Sequence, residues 1–211
     1  MKKRVNRQPV LIGLTGGPGV GKSEVANYLS QAGAMVINAD KIGHEILLYN
    51  KAIKSKLIKL LSKEIIAADG SLDRKAIGAR VFADPELMLG FNAIIHPALL
   101  KELKSRLMKA SKSPKYNMIV VDAALIFEWG IASWFDLLLV VNAKRDVRLA
   151  RMTKSGLSRN QAIKRIASQI PQRDKRALAD YVIENNLTKN RLKKSVRSFI
   201  ANVETWRIGE N

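Results

Sequence analysis

The residues with the clearest chemistry lie between Gly16 and Ser23, which read G-x-x-x-x-G-K-S inside the stretch GLTGGPGVGKSEVANYL (13–29). A loop that wraps phosphate needs this spacing. Glycines let consecutive backbone N–H groups turn toward phosphate oxygens, because no Cβ blocks the approach. Lys22 then reaches the β- and γ-phosphates, the Ser23 hydroxyl faces Mg²⁺, and the following helix adds its N-terminal dipole. Gly17, Pro18, Gly19, Val20, Gly21, Lys22, Ser23 and Glu24 are therefore the expected nucleotide-binding stretch, with Ser23 as metal ligand. Glu24 is the odd member: a carboxylate suits the first helical turn but repels phosphate. Its side chain is expected to point away, leaving its N–H for the ligand.

The loop does not name a reaction. NAKRD (142–146) does not match the N-K-x-D that reads guanine, and the chain has the size of a kinase. A kinase needs a carboxylate that orients the acceptor hydroxyl and takes its proton late in a loose transition state. Asp40, just past the apolar run AMVIN, and Asp122, within MIVVDAALIF, are the candidates. For Asp40 a second reading stands, that of N-cap to a helix starting at KIGHEIL. His44 and His96 are too far from any partner pattern to suggest a metal; His96 precedes Pro97 at an expected helix start.

These residues need elements to hold them. VLIGLT (10–15), AMVIN (34–38), MIVVDAALIF (118–127), DLLLVVNA (136–143) and YVIEN (181–185) are short apolar runs that suit buried parallel strands. Helical patterns lie between them, at 22–31 with Gly33 as its stop, at 41–61, at 73–86 and at 96–111, with a turn at 67–74. Alternating strands and helices predict an α/β fold, a parallel five-stranded sheet with helices on both faces. Ligands of such sheets gather at the carboxyl ends of the strands, where the loop and Asp40 both fall. Residues 145–176 hold ten Lys/Arg against two Asp, with Gly156 and Pro171 as hinge candidates. They read as a basic lid that closes over the triphosphate and excludes water.

Composition narrows the class. The absence of cysteine excludes a disulfide framework, a Cys-ligated zinc and a thiol nucleophile. The basic start MKKRVNRQPVLIGLTGG imitates a secretion signal, but VLIGL is too short for its apolar core. No apolar stretch approaches the ~20 residues of a membrane helix, so a cytoplasmic protein is expected. The net charge of +19 attracts polyanions, yet no nucleic-acid-binding pattern accompanies it.

Six blocks resemble the dephospho-coenzyme A kinases in order: IGLTGGPGVGKSEVANYL, VINADKIGHEI, DGSLDRKAIGARVFADPE, NAIIHPALL, DAALIFEWG and ADYVIENN. The resemblance implies a P-loop NTPase-type core (1–40, 116–143 and 177–211), an inserted, mostly helical coenzyme A-binding subdomain (41–115) and a helical lid (144–176). It implies transfer of phosphate from ATP, with Mg²⁺, to the ribose 3′-hydroxyl of dephospho-coenzyme A. A monomer that binds neither membrane nor nucleic acid is expected. A nucleoside or nucleotide kinase on the same core, or a nucleic-acid-binding ATPase, are the alternatives. By this resemblance Asp40 is the catalytic carboxylate, Lys22 and Ser23 are the phosphate lysine and magnesium serine, Arg151 starts the lid segment, Asn185 lies near adenine, and Arg74 and His96 belong to the substrate side. Arg151 is expected to be catalytic with Asp40 and Lys22, and Asp122, by its place in the strand, to bind the substrate. Three positions depart from the family's pattern: Asn38 replaces a common aspartate, Glu24 a common threonine, and RMTKSGLS is one residue short, leaving Lys154 near the expected second arginine.

Overall fold

The computed structural model describes residues 8–209. The basic head of the signal-like start, residues 1–7, lies outside the described residues. The chain divides into two compact units, one made by the chain up to Ile37 together with the chain from Leu107 onward, the other by Asn38–Arg106.

The first unit is built on a five-stranded parallel sheet in the order β2-β3-β1-β4-β5. Its strands are β1 (Val10–Thr15), β2 (Met35–Asn38), β3 (Met118–Asp122), β4 (Leu137–Asn142) and β5 (Tyr181–Glu184). Every residue of β3 is buried, as expected of a strand covered on both faces. The register pairs Leu14 with Asp122, so the carboxylate ending β3 stands beside the residue that leads into the phosphate loop. Helix α1 (Lys22–Gln31) packs Val25, Ala26 and Leu29 inward. The last helix, α9 (Lys189–Gly209), contributes Leu192, Val196, Phe199 and Val203 to the same core. Their three- and four-residue spacing forms one apolar face. Between β4 and β5 run α6 (Arg145–Lys154), α7 (Arg159–Ala167) and α8 (Gln172–Ala177).

The second unit holds α2 (Ala39–Tyr49), α3 (Lys51–Leu61), α4 (Arg74–Ala83) and most of α5 (Pro85–Ser111). Two expectations change here. The pattern at 41–61 splits at Asn50, whose side chain accepts from the Ile53 N–H at 3.0 Å and so caps a new helix. Helix α5 starts at Pro85 rather than at His96, which places His96 and Pro97 in mid-helix. The sequence Asp84-Pro85 is a start signal in its own right: Asp84 Oδ1 accepts from the Glu86 N–H at 2.8 Å, and proline suits the first helical position. Strand β3 is also shorter than predicted, because residues 124–130 form turns.

One fully buried cation ties that turn segment to α8. Lys175 donates to the Ala124 carbonyl at 2.7 Å and pairs with Glu128 at 2.8 Å. Glu128 also accepts the Ile170 N–H at 3.1 Å. Removing one partner of such a pair strands the other, so Lys175→Ala should lower the unfolding free energy by about 3–5 kcal/mol in urea titrations. Lys175→Met with Glu128→Gln should lose less than that single change; a Lys175→Ala cost below about 1 kcal/mol would contradict the pairing as a stabilising tie.

Candidate active site

The phosphate loop leaves β1 at Thr15, whose hydroxyl donates to the Ala124 carbonyl at 3.1 Å. It ends at Gly21, which takes a left-handed φ of 89° to start α1. That conformation favours glycine, and a Cβ on Gly21 would crowd Asn185 Nδ2. No side chain caps the start of α1, so its first amides stand ready for an anion. Lys22 opens that helix and its ammonium pairs with the buried Asp122 carboxylate. Ser23 follows with its side chain exposed. The Glu24 carboxylate turns toward Tyr28 and stands 3.9 Å from Lys189 of α9, away from the loop as its charge requires. Its N–H does not stay open, however, but donates to the Gly21 carbonyl at 3.1 Å.

The loop's carbonyls are held from another set of residues. Arg151 donates to the carbonyls of Val20 (3.2 Å) and Gly19 (3.4 Å) and, through its other terminal nitrogen, to that of Asn185 (3.0 Å). Asn185 is buried and its amide donates to the Val20 carbonyl at 2.8 Å, so its side chain braces the loop. Arg148 and Gln172, which the sequence reading passed over, complete the set. Arg148 Nε donates to the Pro18 carbonyl at 2.8 Å, and Gln172 Oε1 accepts the Gly17 N–H at 3.0 Å. Burial, and secondarily Arg145, pulls the Arg148 guanidinium below its ordinary pKa, although arginine starts high enough to remain a cation. The signal for Arg148 was in the sequence: it precedes Arg151 by three residues, on the same helix face. Lys154 ends α6 with its side chain exposed, and a capping box of Ser158 and Gln161 starts α7 four residues on.

Asp40, Arg74 and His96 belong to the Asn38–Arg106 unit. Asp40 is exposed in the first turn of α2, and it is not the cap. That task falls to Asn38, whose side chain accepts from the Lys41 N–H at 2.8 Å. The asparagine that departs from the family pattern thus has a structural use, and Asp40 is left with its carboxylate uncommitted to capping. Arg74 is exposed at the start of α4, where Asp73 caps the helix by accepting from the N–H groups of Lys75 (2.8 Å) and Ala76 (3.2 Å). His96 is half-buried, and desolvation pulls its imidazole below the usual pKa. His44, one turn beyond Asp40 on α2, keeps a buried Nδ1 with no hydrogen-bond partner among the described residues.

A loop closed by a lysine, beside a buried aspartate, on the central strand of a 2-3-1-4-5 sheet is an arrangement for holding a nucleotide. Comparison with known proteins specifies it further. The family described as CoaE, dephospho-CoA kinase, matches residues 10–190. The dephospho-CoA kinase of Corynebacterium glutamicum is 36% identical over 193 residues, covering 91% of this chain and 98% of that protein. The dephospho-CoA kinase of Carboxydothermus hydrogenoformans is 38% identical over 177 residues, covering 83% and 85%. Among solved structures, the dephospho-CoA kinase from Campylobacter jejuni superposes with a TM-score of 0.70 at 25% identity, covering 92% of this chain and 96% of that one. Since these matches run through the loop, the sheet and the inserted helices alike, the chain belongs to the dephospho-CoA kinase family of P-loop kinases, which are ATP-dependent phosphotransferases.

Proposed function

We propose that the protein transfers the γ-phosphoryl group of ATP to the ribose 3′-hydroxyl of dephospho-CoA, giving CoA and ADP, as a cytoplasmic monomer that binds neither nucleic acid nor membrane. It is the last step of coenzyme A synthesis. The observation that carries the reading is the seating of Lys22, at the head of α1 and beside the buried Asp122, in a chain whose family acts on dephospho-CoA. Among the described residues no helix is long and apolar enough to cross a membrane.

In this reading the acceptor's 3′-oxygen forms a bond to the γ-phosphorus as the bond to the β–γ bridging oxygen breaks. The hydroxyl proton passes to the Asp40 carboxylate. The leaving ADP keeps the electron pair of the broken bond, and Lys22 with the loop amides offsets the charge that gathers there. On meeting ATP, Lys22 exchanges part of its contact with Asp122 for phosphate oxygens. Arg74 and His96 bind on the acceptor side. Residues 41–115 hold the acceptor's coenzyme A portion, and 144–176 act as the lid over the donor.

The donors present suit Mg²⁺. Among the described residues no group of three or more His, Asp or Glu could hold a metal by itself. That agrees with an ion that keeps several waters and rests largely on the substrate's phosphates. The Ser23 hydroxyl and the Asp122 carboxylate are the protein groups that would hold it, and when bound it supplies charge neutralisation across the β- and γ-phosphates.

An acceptor panel tests the function: with Mg-ATP, dephospho-CoA should support ADP formation well above adenosine, other nucleosides or nucleoside monophosphates. A preference for a free nucleoside would move the enzyme to another kinase class, and ADP release stimulated only by DNA or RNA would make it a nucleic-acid ATPase. The role of Asp40 is tested by Asp40→Asn, which should lower kcat about a hundredfold or more while the KM for ATP changes less than about threefold. Equal losses in both parameters would instead give Asp40 a structural role.

A further inference from the structure

Five polar or charged side chains of the described residues are buried: Thr15, Asp122, Arg148, Lys175 and Asn185. Among the three that carry charge, Asp122 is paired with Lys22 and Lys175 with Glu128. Arg148 has no such partner. Only 6% exposed, it makes no ion pair with a carboxylate among the described residues, and its Nε rests on the neutral carbonyl of Pro18. A buried, uncompensated cation is costly, so its position needs a reason.

The position is informative. In a trans peptide the C=O and the next N–H point opposite ways. Arg148 draws the Pro18 carbonyl toward itself and thereby turns the Gly19 N–H to the opposite side of the loop. Gln172 acts on the neighbouring peptide. Its Oε1 takes the Gly17 N–H, and its Nε2 donates to the Val141 carbonyl of β4 at 2.8 Å, so both ends of the amide are used and its orientation is set. Gly17 carries an independent mark of the same pair. The G-x-x-x-x-G-K-S pattern leaves position 17 free, yet a Cβ there would lie 2.6 Å from Arg148 Nη2 and 3.0 Å from Gln172 Oε1. A side chain at position 17 would have to displace the ends of both.

We propose that Arg148 and Gln172 are positioning residues for the nucleotide donor. They fix the peptides around Gly17 and Pro18 from outside, before ATP arrives, and Arg148 adds a fixed positive charge one peptide layer behind the phosphates. Neither needs to touch the nucleotide. Because Arg148 lies on α6 and Gln172 on α8, both roots of the basic segment between β4 and β5 are fastened to the loop, and any closing motion belongs to the part between them, around α7.

The proposal rests on the loop binding ATP and not on the identity of the acceptor, so the experiment is an ATP titration without acceptor. Arg148→Gln and Gln172→Leu should each weaken ATP and ADP binding about tenfold or more. Arg148→Lys, which keeps a cation, should recover most of the loss. In turnover with saturating ATP, the KM for dephospho-CoA should stay within about twofold of the parent, a split that general loosening of the fold would not give. Variants are scored only where thermal melting shows them folded at the assay temperature, and Arg148→Lys and Gln172→Met provide milder changes for that purpose. Gln172→Met keeps the length of the side chain but neither hydrogen bond, and should weaken ATP about as much as Gln172→Leu. An ATP affinity within twofold of the parent in folded Arg148→Gln and Gln172→Leu would overturn the proposal, as would an equal rise in the KM for dephospho-CoA. A lysine variant no better than the glutamine variant would overturn the part assigned to charge.

Discussion

Backbone amides can hold a polyphosphate only if the carbonyls of the same peptides are satisfied elsewhere. This constraint organises the nucleotide-binding unit. Carbonyls of Pro18, Gly19 and Val20 are taken by Arg148, Arg151 and Asn185, all from segments that follow β4 or β5. A parallel sheet brings those segments together because every strand ends on the same edge. The loop's shape is therefore not a property of its glycines alone. It is imposed by cations and amides placed over a hundred residues later in the chain, which limits the reorganisation left for the moment of binding.

The same sheet explains how the loop lysine is kept in place. Hydrogen-bonded register sets Asp122 beside Leu14, so the carboxylate is delivered to the foot of the loop by the pairing of β1 with β3. There it is buried and pairs with Lys22. A lysine at a helix start would otherwise be repelled by the helix dipole; a buried carboxylate offsets that. The contact of Asp122 with Lys22 was not legible in the chain, since the sequence shows the strand but not its neighbour.

Much of the core could be read from the chain. Short apolar runs marked all five strands, and α1 has the predicted bounds because a loop glycine starts it and Gly33 follows it. What escaped was set by contacts distant in sequence or by local signals in competition. Asp40 was the residue that looked able to cap α2, and the structure gives the cap to Asn38 instead, two residues earlier. Pro97 suggested a helix start, but the stronger signal was the Asp84-Pro85 pair, and α5 runs on through the second proline. Arg148 and Gln172 lay in a basic stretch whose charges resemble a solvated face. Their contacts with the loop depend on how α6 and α8 lie against it, and Gln172 also reaches Val141 of β4, which no local pattern encodes.

The net charge of +19 fits a protein whose substrates carry several phosphates, and the site uses it sparingly, through Lys22, Arg148 and Arg151. The central claim is that this loop presents a phosphoryl group to a sugar hydroxyl and not to water. Phosphorus NMR of the protein with Mg-ATP and dephospho-CoA tests it most directly. The account predicts one new phosphomonoester resonance for each ADP formed, with little inorganic phosphate. ADP appearing with inorganic phosphate at the same rate, whether or not dephospho-CoA is present, would contradict it.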